Sequence, residues 1–122
     1  MANVYLEWSD QNQQVQRIEI VDRVCIGRTC KGIDIHRRIL LEDLRVSRDH
    51  AEINRTAGKV QIIDNSQNGI WVNDIRMAAG ATKDLKDGDI IRIGDLLFQL
   101  VKPHVEADGT KDFTLAEVTR VT

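Results

Sequence analysis

Apolar residues recur along the chain at every second position in short bursts, and the bursts are separated by residues that favour turns. Eight bursts are legible: Val4 to Trp8, Gln16 to Ile20, Arg23 to Ile26, Ala51 to Asn54, Val60 to Asp64, Ile70 to Val72, Ile90 to Ile93 and Leu96 to Val101. They are rich in β-branched residues, which pack well on a pleated, half-buried surface. Ala57-Gly58, Asn68-Gly69, Asp87-Gly88 and Gly94-Asp95 supply the turn chemistry between them. Helical periodicity is scarce, so the pattern predicts an all-β sandwich or barrel. In Arg37 to Leu44 the run Ile39, Leu40 and Leu41 suits either a buried strand or one turn of helix, and the segment is placed in a long loop with local structure. Beyond Pro103 the alternation fades and the composition turns polar. Residues 1–102 are therefore expected to form one domain and 103–122 a polar tail or linker.

A chain of 122 residues can bury one core without staples. The balance of 42% hydrophobic and 30% charged residues excludes a disordered chain and a membrane-embedded one, and no apolar run approaches a membrane span. Met1 to Trp8 lacks the basic start, apolar stretch and cleavage site of a signal peptide, which makes a cytoplasmic location the expectation. Two cysteines are too few for a disulfide framework, so Cys25 and Cys30 are expected to be reduced. A net charge of -2 argues against a general nucleic-acid binder. Its distribution is uneven: Arg23 to Arg55 holds eight bases against five acids, and an excess of three suits a small anionic ligand.

Enzyme and metal readings fail on spacing. Ser47, Asp49 and His50 include the residue types of a hydrolytic triad, but neighbours on one short segment cannot orient a base from behind. Cys25, Cys30 and His36 lack a fourth metal ligand, and Asp84, Asp87 and Asp89 do not reproduce a calcium loop. No glycine loop leading into a helix offers a nucleotide site. The expectation is a domain with no catalytic residue, metal or cofactor, and with neither nucleic acid nor membrane as partner.

Four short motifs occur in order: Gly27-Arg28 at a strand end, Ser47-Arg48-Asp49-His50 before a strand, Asn68-Gly69 before another, and Val72-Asn73 at that strand's end. Together with Asp64 to Gly69 and Gly88 to Gly94 they resemble the forkhead-associated (FHA) domain family over about Val24 to Leu100. The resemblance implies a sandwich of two twisted antiparallel sheets (FHA/SMAD-like) with ligand-binding loops at one end. It also implies binding of phosphothreonine, whose phosphate carries about -1.5 to -2 charge and three acceptor oxygens.

By that resemblance Arg28 and Ser47 contact the phosphate, and Arg48 adds a second cation or backbone donor. Asn68 grips the ligand backbone with its paired donor and acceptor, and Gly69 lets the chain pass close. Arg45, two residues before Ser47, is expected to read an acidic residue third after the phosphothreonine. Gln67 stands where many members carry threonine or a basic residue and Ile70 where threonine or serine is common, so both depart from the pattern. In structural support of the site, His50 is expected to hydrogen-bond the loops beneath it, and Gly27 and Asn73 to shape loops. The implied role is docking of threonine-phosphorylated partners in Ser/Thr kinase signalling. The alternative is a phospho-independent structural or interaction domain attached to an enzyme outside this chain. Thr110, Thr114, Thr119 and Thr122 raise a tail-mediated self-association against the simpler reading of an inert linker.

Overall fold

The computed structural model describes residues 3–10 and 12–103. Eleven strands are present among them: β1 (Tyr5–Ser9), β2 (Val15–Glu19), β3 (Arg23–Gly27), β4 (Arg38–Leu40), β5 (Ala51–Thr56), β6 (Lys59–Asp64), β7 (Trp71–Val72), β8 (Ile75–Arg76), β9 (Thr82–Leu85), β10 (Ile90–Ile93) and β11 (Leu96–Val101). They form a six-stranded sheet in the order β2-β1-β11-β10-β7-β8 and a five-stranded sheet in the order β4-β3-β5-β6-β9. All-β architecture in two sheets is thus established.

Alternation explains the layers. In β6 the pattern eBiBiB turns Val60, Ile62 and Asp64 inward, and in β11 Phe98 and Leu100 face in while Leu97 and Gln99 face out. Leu6, Ile53, Ile62, Ile91, Phe98 and Leu100 are fully buried between the sheets. Each such side chain contributes roughly 1.5–3 kcal/mol on leaving water.

One pair departs from the antiparallel expectation. β4 runs parallel to β3, with Ile26 opposite Ile39, after the chain has looped out through residues 28–37 and a 3₁₀ turn at Ile35–Arg37. Arg37 to Leu44, expected to be loop, therefore contains an edge strand. β8 and β9 were also absent from the pattern. Ala57 (φ 52) and Gly58 (φ 79) make the β5–β6 hairpin turn, where both positions demand left-handed backbone.

The two cysteines correct the expectation of reduced thiols. Cys25 in β3 and Cys30 in the following turn form a disulfide, with Cα atoms 5.8 Å apart. Cysteine count gave no hint of this. The bond follows from backbone geometry, because a sharp turn with Cys30 at φ 48 folds the chain back over β3. Of the expected tail only Pro103 is among the described residues, and the tail threonines lie outside them. Among the described residues no helix is long and apolar enough to cross a membrane.

Candidate functional site

β3 ends at Gly27, and the backbone beyond it docks onto the segment before β5. Arg28 N–H donates to the Ser47 carbonyl, and Thr29 N–H and Cys30 N–H both donate to the Arg48 carbonyl, all at 3.1 Å. The approach is so close that a Cβ on Gly27 would lie 2.1 Å from the Arg48 oxygen. Only glycine fits there, which ties the Gly27-Arg28 pair to the Ser47–His50 segment physically. The Cys25–Cys30 bridge closes a small ring around Arg28.

His50 anchors the same segment from below. It is completely buried; Ser47 N–H donates to its Nδ1 at 3.0 Å, and its Nε2 lies 2.9 Å from the Gly69 carbonyl. An accepting Nδ1 leaves Nε2 as the donor, so one ring holds two loops together. Gly69 (φ 102) occupies a conformation suited to glycine, and its N–H donates to Ser66 Oγ.

Above these supports opens a cleft of about 540 Å³ whose lining includes Arg28, Arg45, Ser47, Arg48, Gln67 and Asn68. Arg28 Nε donates to the Val46 carbonyl at 2.7 Å, which orients the guanidinium while leaving both terminal nitrogens for an anion. Gln67 N–H donates to Ser47 Oγ at 3.0 Å, filling an acceptor position of the hydroxyl and leaving its hydrogen to donate outward. Asn68 Nδ2 donates to the Arg45 carbonyl at 2.7 Å, which fixes the side-chain amide and leaves its Oδ1 able to accept.

Three residues stand differently from the rest. Arg45 lines the cleft, but its guanidinium is held by Asp43 and by Asp95 at 2.6 and 2.7 Å. The Arg45 hydrogen bonds hold the Asp43 carboxyl at about 2 and lower that of Asp95. Asn73 is outside the cleft: at φ 51 it turns the chain from β7 to β8, accepts from Ile90 N–H and donates to Asp89. Asp49 is a carboxylate in the lining that sequence reasoning did not place at the site. Asp49 also clusters with Cys25 and Cys30, yet sulfurs joined to each other are not thiolate ligands.

The sequence model of the FHA domain matches residues 24–94, more than half of the chain, from the second residue of β3 to just past the end of β10. The chain belongs to the FHA domain family. No curated protein sequence matches it. Among solved structures, the FHA domain of a Chlamydia trachomatis protein is similar at TM-score 0.70 and 23% identity, with 84% of this chain and 99% of that one covered. A second FHA domain, from work on phosphothreonine-dependent FHA domain interactions, is similar at TM-score 0.65 and 28% identity, covering 84% and 98%. Mycobacterium tuberculosis EmbR in complex with a low-affinity phosphopeptide is similar at TM-score 0.68 and 29% identity, covering 92% of this chain and 26% of EmbR. The first of these likenesses speaks to the fold alone. FHA domains are interaction modules, and solved members of the family include complexes with phosphopeptides.

Proposed function

We propose that this FHA domain docks proteins phosphorylated on threonine, within Ser/Thr kinase signalling, through the cleft between Arg28 and Asn68. The observation that carries the proposal is the convergence of Arg28, Ser47 and Arg48 in one cleft, with Arg28 Nε and Ser47 Oγ already engaged so that their remaining donors are left for a ligand. A phosphate needs a fixed fork of cationic donors and a hydroxyl, and arrangement in advance of binding lowers the entropy cost of association. Asn68 and Gly69 receive the ligand backbone, with Gln67 beside them. Gly27 and His50 hold the loops in place, and Asn73 supports them at one remove by shaping the β7–β8 turn. The binding unit is residues 1–102, with 103–122 as tail.

Threonine is preferred over serine through its extra methyl, worth about 0.8 kcal/mol or roughly fourfold when buried. Arg45 contributes less to reading an acidic residue than its position suggests, because two carboxylates already compete for it. Titration with degenerate phosphothreonine, phosphoserine and unphosphorylated peptide libraries tests the proposal. Phosphothreonine-dependent binding that weakens in Asn68→Ala supports it. Equal binding of all three libraries assigns the domain to phospho-independent interaction instead.

A further inference from the structure

Next to the phosphate cleft lies a second cleft, of about 400 Å³, with the opposite sign of charge. Its floor is apolar, formed by side chains including Trp8, Leu41 and Leu96, which pack half-buried against the core. Its rim carries Asp10, Glu42, Asp43 and Asp95, and among the described residues no lysine or arginine lines it. In the phosphate cleft the balance is inverted, with three arginines against Asp49 alone. The two clefts share Val46. Arg45 forms the boundary between them: it lines the first, and its guanidinium is clamped by Asp43 and Asp95 of the second. Arg45 and, at Asp95, Arg92 offset part of this charge, and two guanidinium groups set against four carboxylates leave the second cleft negative on balance.

A partner that enters the first cleft as an anion has its neighbouring residues beside the second. An extended chain advances about 3.3 Å per residue, so a flank of six residues reaches about 20 Å from the phosphate, far enough to cross a wall one side chain thick. Carboxylates around an apolar floor select a cation on an apolar stem, or a cation next to an apolar side chain. We propose that the cleft bounded by Asp10, Glu42, Asp43 and Asp95 docks the segment flanking the phosphothreonine of the same partner, and that this segment carries lysine or arginine beside an apolar residue. The inference rests on the phosphothreonine reading above and adds to it a second, oppositely charged half of the recognition surface.

The test uses the full chain and three synthetic phosphothreonine peptides: one with neutral flanks, one with a Lys-Leu-Arg flank before the phosphothreonine and one with that flank after it. Binding is followed by fluorescence anisotropy at low and high ionic strength. One basic flank is expected to tighten binding by about 3- to 10-fold over the neutral peptide, with the gain shrinking as salt rises. Glu42 is exposed, and Glu42→Lys should abolish the gain while leaving the neutral phosphopeptide unaffected. Glu19 is exposed at the end of β2 away from the turn that holds Asp10, so Glu19→Lys matches the change in net charge and should keep the gain. Equal affinity of all three phosphopeptides overturns the inference while the phosphothreonine reading stands. So does a gain that survives Glu42→Lys, or one lost equally in Glu19→Lys, since either marks mere attraction to an acidic protein. If no phosphopeptide binds the folded chain, both readings fall together.

Discussion

Gly27→Ala isolates the contact that joins the Arg28 and Ser47–His50 segments lining the cleft. The added Cβ would sit 2.1 Å from the Arg48 oxygen, 2.8 Å from its carbonyl carbon and 3.0 Å from His50 N. Raising the first distance to even 3.0 Å requires a backbone shift of about 0.9 Å, and no flexible side chain is present to absorb it. The Arg48 carbonyl that must move accepts from Thr29 and Cys30, and the neighbouring Ser47 carbonyl accepts from Arg28. At about 1 kcal/mol for each hydrogen bond, disturbing three costs about 2–4 kcal/mol once strain is included. A domain of this size then loses on the order of 10–20 °C in Tm. Calorimetry and urea denaturation measure the stability, and anisotropy with a phosphothreonine peptide measures the site. Stability within about 0.5 kcal/mol of wild type, the range of an ordinary surface substitution, with unchanged phosphopeptide affinity, would refute the claim that Gly27 exists for this approach.

Other outcomes follow from the same geometry. His50→Ala leaves Ser47 N–H and the Gly69 carbonyl without their shared partner in a buried setting; at 1–3 kcal/mol for each, destabilisation of about 2–6 kcal/mol is expected in denaturant titrations, together with weaker phosphopeptide binding. Reducing the Cys25–Cys30 bond, or Cys25→Ala, removes a short cross-link worth about 2 kcal/mol in the chain-entropy account; a denaturation midpoint indifferent to dithiothreitol contradicts it. Asp43 has its folded-state pKa depressed to about 2 by the Arg45 hydrogen bonds, so its contribution to folding is present above the ordinary carboxylate value near 4 and is lost as pH falls through about 2. A carboxyl NMR titration should show that low midpoint, and Arg45→Ala should return it towards 4; a wild-type midpoint near 4 excludes the clamp.

How far the sequence could be read depended on what each segment had at stake in side-chain burial. Strands with two or more inward-facing residues, such as Val60–Ile62 in β6 or Phe98–Leu100 in β11, leave a period of two that anyone can count. The three strands missing from the expected set, β4, whose residues were left open between strand and helical turn and placed in a loop, and β8 and β9, which were not expected at all, lie at sheet edges. Ile75 and Arg76 are both exposed, and in Thr82–Leu85 only Leu85 is buried, so these strands are held by backbone ladders that no hydrophobic pattern announces. At the candidate site, the order of Gly27-Arg28, Ser47–His50 and Asn68-Gly69 pointed to residues that do converge on one cleft and its supports. Asn73, in contrast, shapes a turn away from it. The Arg45 clamp was hidden because Asp95 lies 50 residues away in sequence, and the Val46 carbonyl that orients Arg28 leaves no trace in residue identity. The disulfide was hidden for a related reason, since two cysteines five apart become partners only through the turn at Cys30.

The central claim, that Arg28 and Ser47 hold a phosphate, is tested most directly by calorimetric titration of wild type and Arg28→Ala with one phosphothreonine peptide and its unphosphorylated twin. The account predicts that wild type binds only the phosphorylated peptide and loses affinity as pH drops below the second phosphate pKa near 6. It also predicts that Arg28→Ala, while remaining folded, loses at least tenfold, as expected for removal of a charge-assisted hydrogen-bond donor worth 1.5–3 kcal/mol. Wild-type binding that ignores the phosphate, or phosphate-dependent binding that Arg28→Ala leaves intact, would contradict it.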